Sequence, residues 1–201
     1  MNMKRLFLLL TVILLGQWAA AQNKIDYSVY DDKFNIYVAN DLGRNGYYDQ
    51  KPIAELMGTM AEEVGPEFVI AAGDVHHFEG VRSVNDPLWM TNYELIYSHP
   101  ELMIDWYPIF GNHEYRGSTQ AVLDYTRVSR RWEMPARYYT KDFSEEGTTV
   151  RIVWLDTTPL IDKYRQENDK YPDACQQNID DQLQWLDGVL AAAKEDWVSV
   201  G

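Results

Sequence analysis

The sequence predicts an α/β fold in which a largely parallel sheet is built from strands that alternate with helices. Three apolar segments rich in strand-forming residues, 34–40, 67–73 and 104–112, each run into a loop. Two segments with apolar residues at helical spacing, 52–64 and 87–97, separate them. This alternation is typical of parallel sheets, because a parallel connection needs a crossover element between its strands.

Each early element has its own local signal. Residues 34–40 alternate between polar and apolar side chains before a loop. Pro52 suits the first turn of the helix predicted over 52–64. Residues 67–73 form an apolar run bounded by Gly65-Pro66 and by Gly73, which predicts a strand buried on both faces.

The second half continues the pattern with a hairpin. Residues 119–132 are predicted to form a helix, and residues 137–143 and 148–156 to pair as strands around Glu145-Glu146-Gly147. A further amphipathic helix is predicted over 178–196. Its apolar face carries four residues: Ile179, Leu183, Leu186 and Leu190. Residues 197–201 begin a strand-like stretch.

Composition limits the class of partner. The 201 residues are enough for one domain with a sizeable core, and 46% of them are hydrophobic. The net charge of −13 argues against a nucleic-acid partner, because such a partner requires clustered lysine and arginine. A site for an anion must therefore supply its own positive charge, and a metal ion is a ready source.

The N-terminus predicts export. Lys4 and Arg5 precede an apolar stretch over 6–15, and three alanines end at Ala21, which is typical of a signal peptide cleaved near that residue. We expect a signal peptide over 1–21, a polar lead-in over 22–33 and one domain over 34–201, with no stable membrane anchor. The protein is then periplasmic or secreted. Cys175 is the only cysteine, so no internal disulfide is expected.

Polar residues follow each of the first three predicted strands. Asp41-x-Gly43 follows the first, Gly73-Asp74-x-x-His77 the second, and Gly111-Asn112-His113-Glu114 the third. Because ligands bind at the carboxyl edge of open α/β sheets, we expect these side chains to converge. Carboxylate, imidazole and amide donors suit borderline divalent metals or iron. Asp74 lies in the middle of the set and could bridge two ions.

These three motifs resemble those of the calcineurin-like metallophosphoesterases, in which D-x-G, GDxxH and GNH(D/E) recur in this order. Several longer stretches, including "GDVHHFEGV" and "QLQWLDGVLAAAKEDWVSVG", are similar to the tartrate-resistant, purple acid phosphatase branch. The resemblance covers residues 34–201. It implies a four-layer α/β/β/α sandwich, of which we expect only the N-terminal part, with the first sheet and its helices.

The resemblance also implies a role for each site residue. Asp41 and His77 would bind the first metal ion, Asp74 would bridge both ions, and Asn112 would bind the second through its amide oxygen. His113 would be the acid that protonates the leaving alcohol. The implied reaction is hydrolysis of a phosphomonoester by a metal-bound hydroxide at a dinuclear centre, with a phosphorylated small molecule or a phosphoprotein as substrate.

Two departures from the family pattern bear on the metal ions. His77 stands where the purple enzymes have a tyrosine ligand of ferric iron, so we expect iron, manganese or zinc and no purple colour. The family's three downstream histidine ligands, in a Gly-His and a Gly-His-x-His motif, would begin where this chain ends, at Gly201. We therefore expect a truncated chain that leaves the second ion with only Asp74 and Asn112, and an exposed apolar face.

Two function hypotheses remain open. In the first, the chain is part of an exported acid phosphatase whose two-metal activity belongs to the full-length form. In the second, it is a non-catalytic remnant that binds at most one metal ion. A dinucleotide-binding domain is disfavoured, since residues 42–46 do not supply a G-x-G-x-x-G motif.

Three further polar residues have no firm role in the pattern. His76 is interpreted as a solvated side chain or as a neighbour of the metal ligands, and His99 as a surface residue. Arg44 is either a solvated loop residue or a contact to the substrate.

Overall fold

The computed structural model describes residues 26–31 and 33–201, and the chain divides into one unit over 1–32 and a second over 33–201. The described part of the first unit contains a short 3₁₀ turn at Ser28–Tyr30. The predicted signal peptide lies outside the described residues. Within the described ranges, no helix has the length and apolar character needed to cross a membrane.

A parallel sheet opens the second unit, as the sequence predicts. Strands β1 (Ile36–Ala39), β2 (Phe68–Ala72) and β3 (Asp105–Ile109) lie in the order β1-β2-β3. Helix α1 (Gln50–Val64) joins the first two strands and begins two residues before the predicted start. All three strands run in the same direction, so the loops that carry the candidate ligands leave from one edge.

Two predicted helices are shorter in the structure than the sequence pattern suggests. Within 87–97 the chain forms a π-helix over Trp89–Glu94. Within 119–132 helix α2 ends at Asp124 (Thr119–Asp124) and a 3₁₀ turn follows over Tyr125–Arg127. The helix predicted to reach residue 132 is therefore wrong in its second half.

Tertiary contacts explain this early end. The Thr126 hydroxyl accepts a hydrogen bond from the Met134 backbone N–H at 3.0 Å, which turns the chain back on itself. Trp132 then pairs with Trp106 of β3 in an isolated bridge. The chain gains more from extending beside the sheet here than from continuing the helix.

A second sheet is more complete than expected. Strands β4 (Tyr139–Glu145) and β5 (Thr148–Trp154) form the predicted antiparallel hairpin, and β6 (Trp197–Val200) pairs with β5 in parallel. At the turn, Glu146 and Gly147 have φ angles of 49° and 84°, which suit a two-residue hairpin loop. Three strands of a second sheet are therefore present beside the first, including the two that the sequence predicts.

Aromatic side chains join the two sheets. Phe68 of β2 stacks on Phe143 of β4, with 4.4 Å between ring centroids, and Tyr107 of β3 lies 5.5 Å from Trp154 of β5. The preceding residue of β3, Trp106, points to the opposite face, where it contacts Tyr93 of the π-helix with 5.1 Å between ring centroids. Strand β2 is thus covered on both faces, which confirms the prediction for residues 67–73 and agrees with a layered sandwich.

The last helices lie near the end of β5. Helix α3 (Asp162–Gln166) is one turn long, and α4 (Ile179–Ala192) is the predicted amphipathic helix. Gln182 is its one fully buried residue and exchanges hydrogen bonds with the backbone N–H and C=O of Asp156. Leu183 and Leu190 remain 47% and 44% exposed, so an apolar face is left uncovered by the described residues, as expected.

Candidate metal centre

The loops after β1 and β2 place two carboxylates at the same edge of the sheet. Asp41 and Asp74 each have a φ angle of 54°, in the left-handed region that aspartate tolerates better than most residues. The two loops are tied by a hydrogen bond from the Asp41 backbone N–H to the Gly73 carbonyl at 3.1 Å. Each left-handed residue bends its strand end sharply.

His77 lies between these carboxylates. Its Nε2 is 3.5 Å from Asp41 Oδ1 and 3.6 Å from Asp74 Oδ2, and its side chain is 3% exposed. Burial lowers the pKa of His77, and nearby His113 and Arg44 lower it further against the opposing effect of the two carboxylates. The imidazole is therefore neutral, which is the form that binds metal ions.

The spacing of these three donors suits a metal ion. Donors held about 2.1 Å from a tetrahedral metal lie roughly 3.4 Å apart. The two distances from His77 Nε2 to the carboxylates are close to this value and too long for good direct hydrogen bonds. Each carboxylate is therefore at a distance from His77 Nε2 that suits a shared ion, although Asp41 is not among the residues whose ligand atoms all lie within 4.8 Å of one another.

His113 joins the same group from the loop after β3. Ligand atoms of Asp74, His77 and His113 all lie within 4.8 Å of one another. The His113 backbone N–H donates to Asp74 Oδ1 at 2.9 Å, and its Nδ1 lies 2.6 Å from the Phe78 carbonyl. A carbonyl oxygen can only accept, so Nδ1 carries a proton.

Asn112, the predicted amide ligand, is half-buried in the turn between Gly111 and His113. Gly111 permits the close approach of the loops after β2 and β3. A Cβ atom added there would lie 2.2 Å from Asp74 Oδ1 and 2.4 Å from the Asp74 backbone nitrogen. The turn therefore requires glycine for a reason of space.

Glu114 is the residue at this edge for which the sequence suggested no role. It is 1% exposed, and its carboxylate accepts three backbone hydrogen bonds. The donors are Asp74 N–H at 2.9 Å, Gly111 N–H at 2.8 Å and His76 N–H at 3.0 Å. Burial, and then the charge of Asp74, raise the pKa of Glu114 to about 7. The Glu114 carboxylate thereby joins the loop that carries Asp74 to the loop that carries Asn112. Its position directly after Gly111-Asn112-His113 is the sequence signal that could have indicated this role.

His76 does not have the solvated position that the sequence allowed. It is 0% exposed, and its ring packs edge-on against Trp89 at 4.3 Å. Burial lowers its pKa to about 3, so the ring is neutral. Neither ring nitrogen has a hydrogen-bond partner among the described residues. The interpretation of His76 as solvated is therefore wrong, and the adjacent histidines point in different directions.

Arg44 and His99 have distinct surroundings. Arg44 Nη2 lies 3.9 Å from Asp41 Oδ1, which places a cation beside the candidate site. His99 lies outside this group: it is partly exposed, its Nε2 is 3.3 Å from Glu62 Oε1, and it caps the 3₁₀ turn Pro100–Leu102. The expected surface position of His99 is borne out by this partial exposure.

Comparison with known proteins gives one family and a set of relatives. The calcineurin-like phosphoesterase family model matches residues 34–200. Purple acid phosphatase 7 of Arabidopsis thaliana is 34% identical over 137 residues, which cover 68% of this chain and 41% of that protein. Tartrate-resistant acid phosphatase type 5 of Mus musculus is 36% identical over 157 residues, covering 75% of this chain and 46% of that protein. The chain thus spans less than half the length of these relatives.

A solved structure shares the fold. GAP50, the anchor in the inner membrane complex of Plasmodium, superimposes with a TM-score of 0.65. The match covers 83% of this chain and 53% of that one, at 20% sequence identity. This likeness concerns the arrangement of the sheets and helices alone.

Proposed function

The chain belongs to the calcineurin-like phosphoesterase family, and on that premise we propose that it supplies the metal-binding edge of an exported, acid-phosphatase-like phosphomonoesterase. The observation that carries the proposal is the convergence of Asp41 and Asp74 on the neutral Nε2 of His77, at 3.5 and 3.6 Å. Relatives among the purple and tartrate-resistant acid phosphatases support the same class of reaction.

The proposed complete centre would hold two ions of iron, manganese or zinc, of which the 201-residue chain would hold the first. Asp41, Asp74 and His77 would hold the first ion, while Asp74 and Asn112 would contribute to the second. When bound, the ions supply positive charge that offsets the charge of the phosphate oxygens and activates water as the nucleophile. His77 favours a divalent ion at the first position, since a neutral imidazole adds no negative charge there.

The chain's own residues hold the ligands in place and move a proton. Two hydrogen bonds hold Asp74: its side chain accepts from the His113 backbone N–H, and its backbone N–H donates to the Glu114 carboxylate. His113 donates from Nδ1 to the Phe78 carbonyl, which orients the ring and leaves Nε2 to exchange a proton with the leaving alcohol. In this role Nε2 takes up a proton before each turnover and gives it to the ester oxygen.

The sequence supports a class of substrate and a destination for this proposal. A phosphorylated small molecule or a phosphoprotein fits the family, whereas a net charge of −13 disfavours nucleic acid. The N-terminal segment supports export to the periplasm or the medium without a stable membrane anchor.

The 201-residue polypeptide is proposed to bind one ion and to have little or no turnover of its own. It has four histidines, and His76 and His99 lie away from the candidate site. The second ion would therefore depend on Asp74 and Asn112, and two donors hold a metal weakly. Full activity would belong to a form of the protein with more ligands.

Metal titration and hydrolysis test these points separately. The protein without its signal peptide is titrated with Mn²⁺ or Zn²⁺ by calorimetry, beside the variant Asp74→Ala. We expect one equivalent to bind to the unmodified chain and none to the variant, and inorganic phosphate to bind only to the loaded chain. Equal metal binding by both proteins, or no metal-dependent phosphate binding, would contradict the proposed centre.

Hydrolysis of p-nitrophenyl phosphate is then followed with Mn²⁺, Fe²⁺ or Zn²⁺ present. We expect the unmodified chain to be no faster than Asp74→Ala. Clear metal-dependent turnover above that control would show that the chain already holds a complete two-metal centre, and the one-ion proposal would be wrong.

A further inference from the structure

A cavity of about 590 Å³ opens beside the candidate metal centre. Six residues line it: Arg44, Asn45, Tyr47, Tyr48, His77 and Phe78. His77 belongs both to this cavity and to the proposed first metal site. A phosphate ester whose phosphoryl group lies at the metal centre therefore has its alcohol part within reach of the cavity, whose volume suits a small organic group.

The cavity is bordered by exposed aromatic rings. Tyr47, Tyr48 and Phe78 are 71%, 78% and 57% exposed. Large aromatic side chains are usually buried for most of their area, so three exposed rings around one cavity form an unusual surface. The two tyrosines come from the loop after β1, and Phe78 comes from the loop after β2, directly after His77.

The loop that carries the tyrosines is held from below by Gln50. This side chain is 4% exposed, and its Oε1 accepts hydrogen bonds from the backbone N–H groups of Arg44 at 3.0 Å and Gly46 at 2.7 Å. Its Nε2 donates to the Asn92 carbonyl at 2.9 Å. The loop is therefore organised before any ligand binds, and little conformational entropy is lost when one does.

Charge completes the surface. The Arg44 guanidinium lies 5.5 Å from the centre of the Phe78 ring and 3.9 Å from Asp41 Oδ1. It therefore stands at the junction between the aromatic cavity and the candidate metal centre. A ligand with an anionic phosphoryl group beside a flat apolar group matches this surface, because the phosphoryl group can contact the cation and the apolar group can contact the rings.

We propose that this cavity binds the alcohol part of the substrate and selects phosphomonoesters in which that part is an aromatic ring. The inference rests on the proposed phosphoesterase function and adds the class of substrate. Tyr47, Tyr48 and Phe78 would contact the ring, and Arg44 would contact the phosphoryl oxygens.

Two stable phosphonates test the inference without requiring turnover. Phenylphosphonate and methylphosphonate are titrated into the Mn²⁺-loaded 201-residue chain by calorimetry, and the ratio of their dissociation constants is measured. Ring burial and stacking should make phenylphosphonate bind roughly tenfold more tightly. Because both compounds share the phosphonate group, the ratio cancels differences in metal loading.

Two double variants separate the rings from the hydroxyl groups. Tyr47→Phe with Tyr48→Phe keeps the rings and should keep the tenfold ratio, whereas Tyr47→Ala with Tyr48→Ala should bring the ratio close to one. A ratio near one in the unmodified chain, or an unchanged ratio in the alanine variant, would overturn the aromatic selectivity and leave the phosphoesterase proposal standing. Failure of both phosphonates to bind the loaded chain would overturn both.

Discussion

Replacing Gly111 by alanine should damage both the fold and the candidate metal centre. The added Cβ would lie 2.2 Å from Asp74 Oδ1 and 2.4 Å from the Asp74 backbone nitrogen, so the two loops must separate by about 1 Å to restore ordinary contact. Overpacking of this kind costs about 1–3 kcal/mol. The movement also strains the hydrogen bond from His113 N–H to Asp74 Oδ1, and loss of a bond to a charged group adds about 1.5–3 kcal/mol.

The free energy of unfolding should therefore fall by roughly 3–5 kcal/mol, a large part of the stability of a single domain. Urea denaturation of the metal-free protein measures this change from the midpoint at constant slope. Metal affinity, measured by calorimetry on folded protein, should fall at least about tenfold because Asp74 is displaced from His77.

Gly188 provides a matched control in the same chain. It lies within helix α4, and an added Cβ meets no atom within 4 Å. Gly188→Ala should stabilise the protein by about 0.5–1 kcal/mol, because glycine is unfavourable inside a helix. If Gly111→Ala is as stable as the unmodified chain, or binds metal equally well, the close approach of the two loops does not exist as described.

Three further outcomes are expected. The pKa of His76 is about 3 in the folded chain and near 6.5 in the unfolded chain, so the unfolded chain binds more protons between these values. The free energy of unfolding should therefore fall by about 2 kcal/mol from pH 7 to pH 5. Urea titrations should show that this pH dependence disappears in His76→Leu. Arg131 is 2% exposed and donates to the Tyr97 and Leu102 carbonyls and to Glu94. Arg131→Lys should therefore lower the free energy of unfolding by about 2 kcal/mol in thermal or urea unfolding. The control Arg127→Lys, at an 85% exposed side chain, should lower it by less than about 0.5 kcal/mol. Leu183→Glu with Leu190→Glu should leave the free energy of unfolding within about 0.5 kcal/mol and raise the concentration at which light scattering begins; a large loss of stability would mean that this face is packed.

The sequence predicted those elements that depend on local signals. The parallel order of β1, β2 and β3 followed from apolar strands separated by helical spacing, and the β4-β5 hairpin followed from its glycine-containing turn. Helix α4 was predicted from its periodicity alone. In each case neighbouring residues along the chain contain the information, so no knowledge of the tertiary contacts was needed.

The errors arose where distant contacts decide the structure. The helix predicted over 119–132 stops early because Thr126 bonds to Met134 and Trp132 pairs with Trp106, and neither contact has a local signal. For His76 the sequence allowed either a solvated side chain or a neighbour of the metal ligands, and the structure excludes the first. The left-handed backbone at Asp74 breaks the alternation of the strand, and His76 consequently turns into the core beside Trp89.

The sequence indicated the candidate ligands through their residue types and their order. It did not indicate the residues that hold the ligand loops in place. Asp41 and Asp74 both approach His77 because parallel strands end at one edge, which a sequence can indicate. Glu114 and Gln50 act through backbone N–H groups of other loops, and such partners become visible only once the loops are in place. The roles of the individual metal ligands stay predictions until ions are bound.

The left-handed backbone at Asp41 and Asp74 limits which amino acids can replace these two residues. A replacement must satisfy the local backbone as well as the ion, and asparagine and aspartate tolerate positive φ better than other non-glycine residues. Glutamate would keep the charge but fit the turn less well, and asparagine would fit the turn but lose the charge. A substitution at either position therefore loses either the negative charge or the fit to the turn. In descendants that no longer bind the ion, we expect asparagine or glycine at these positions, because both keep the turn.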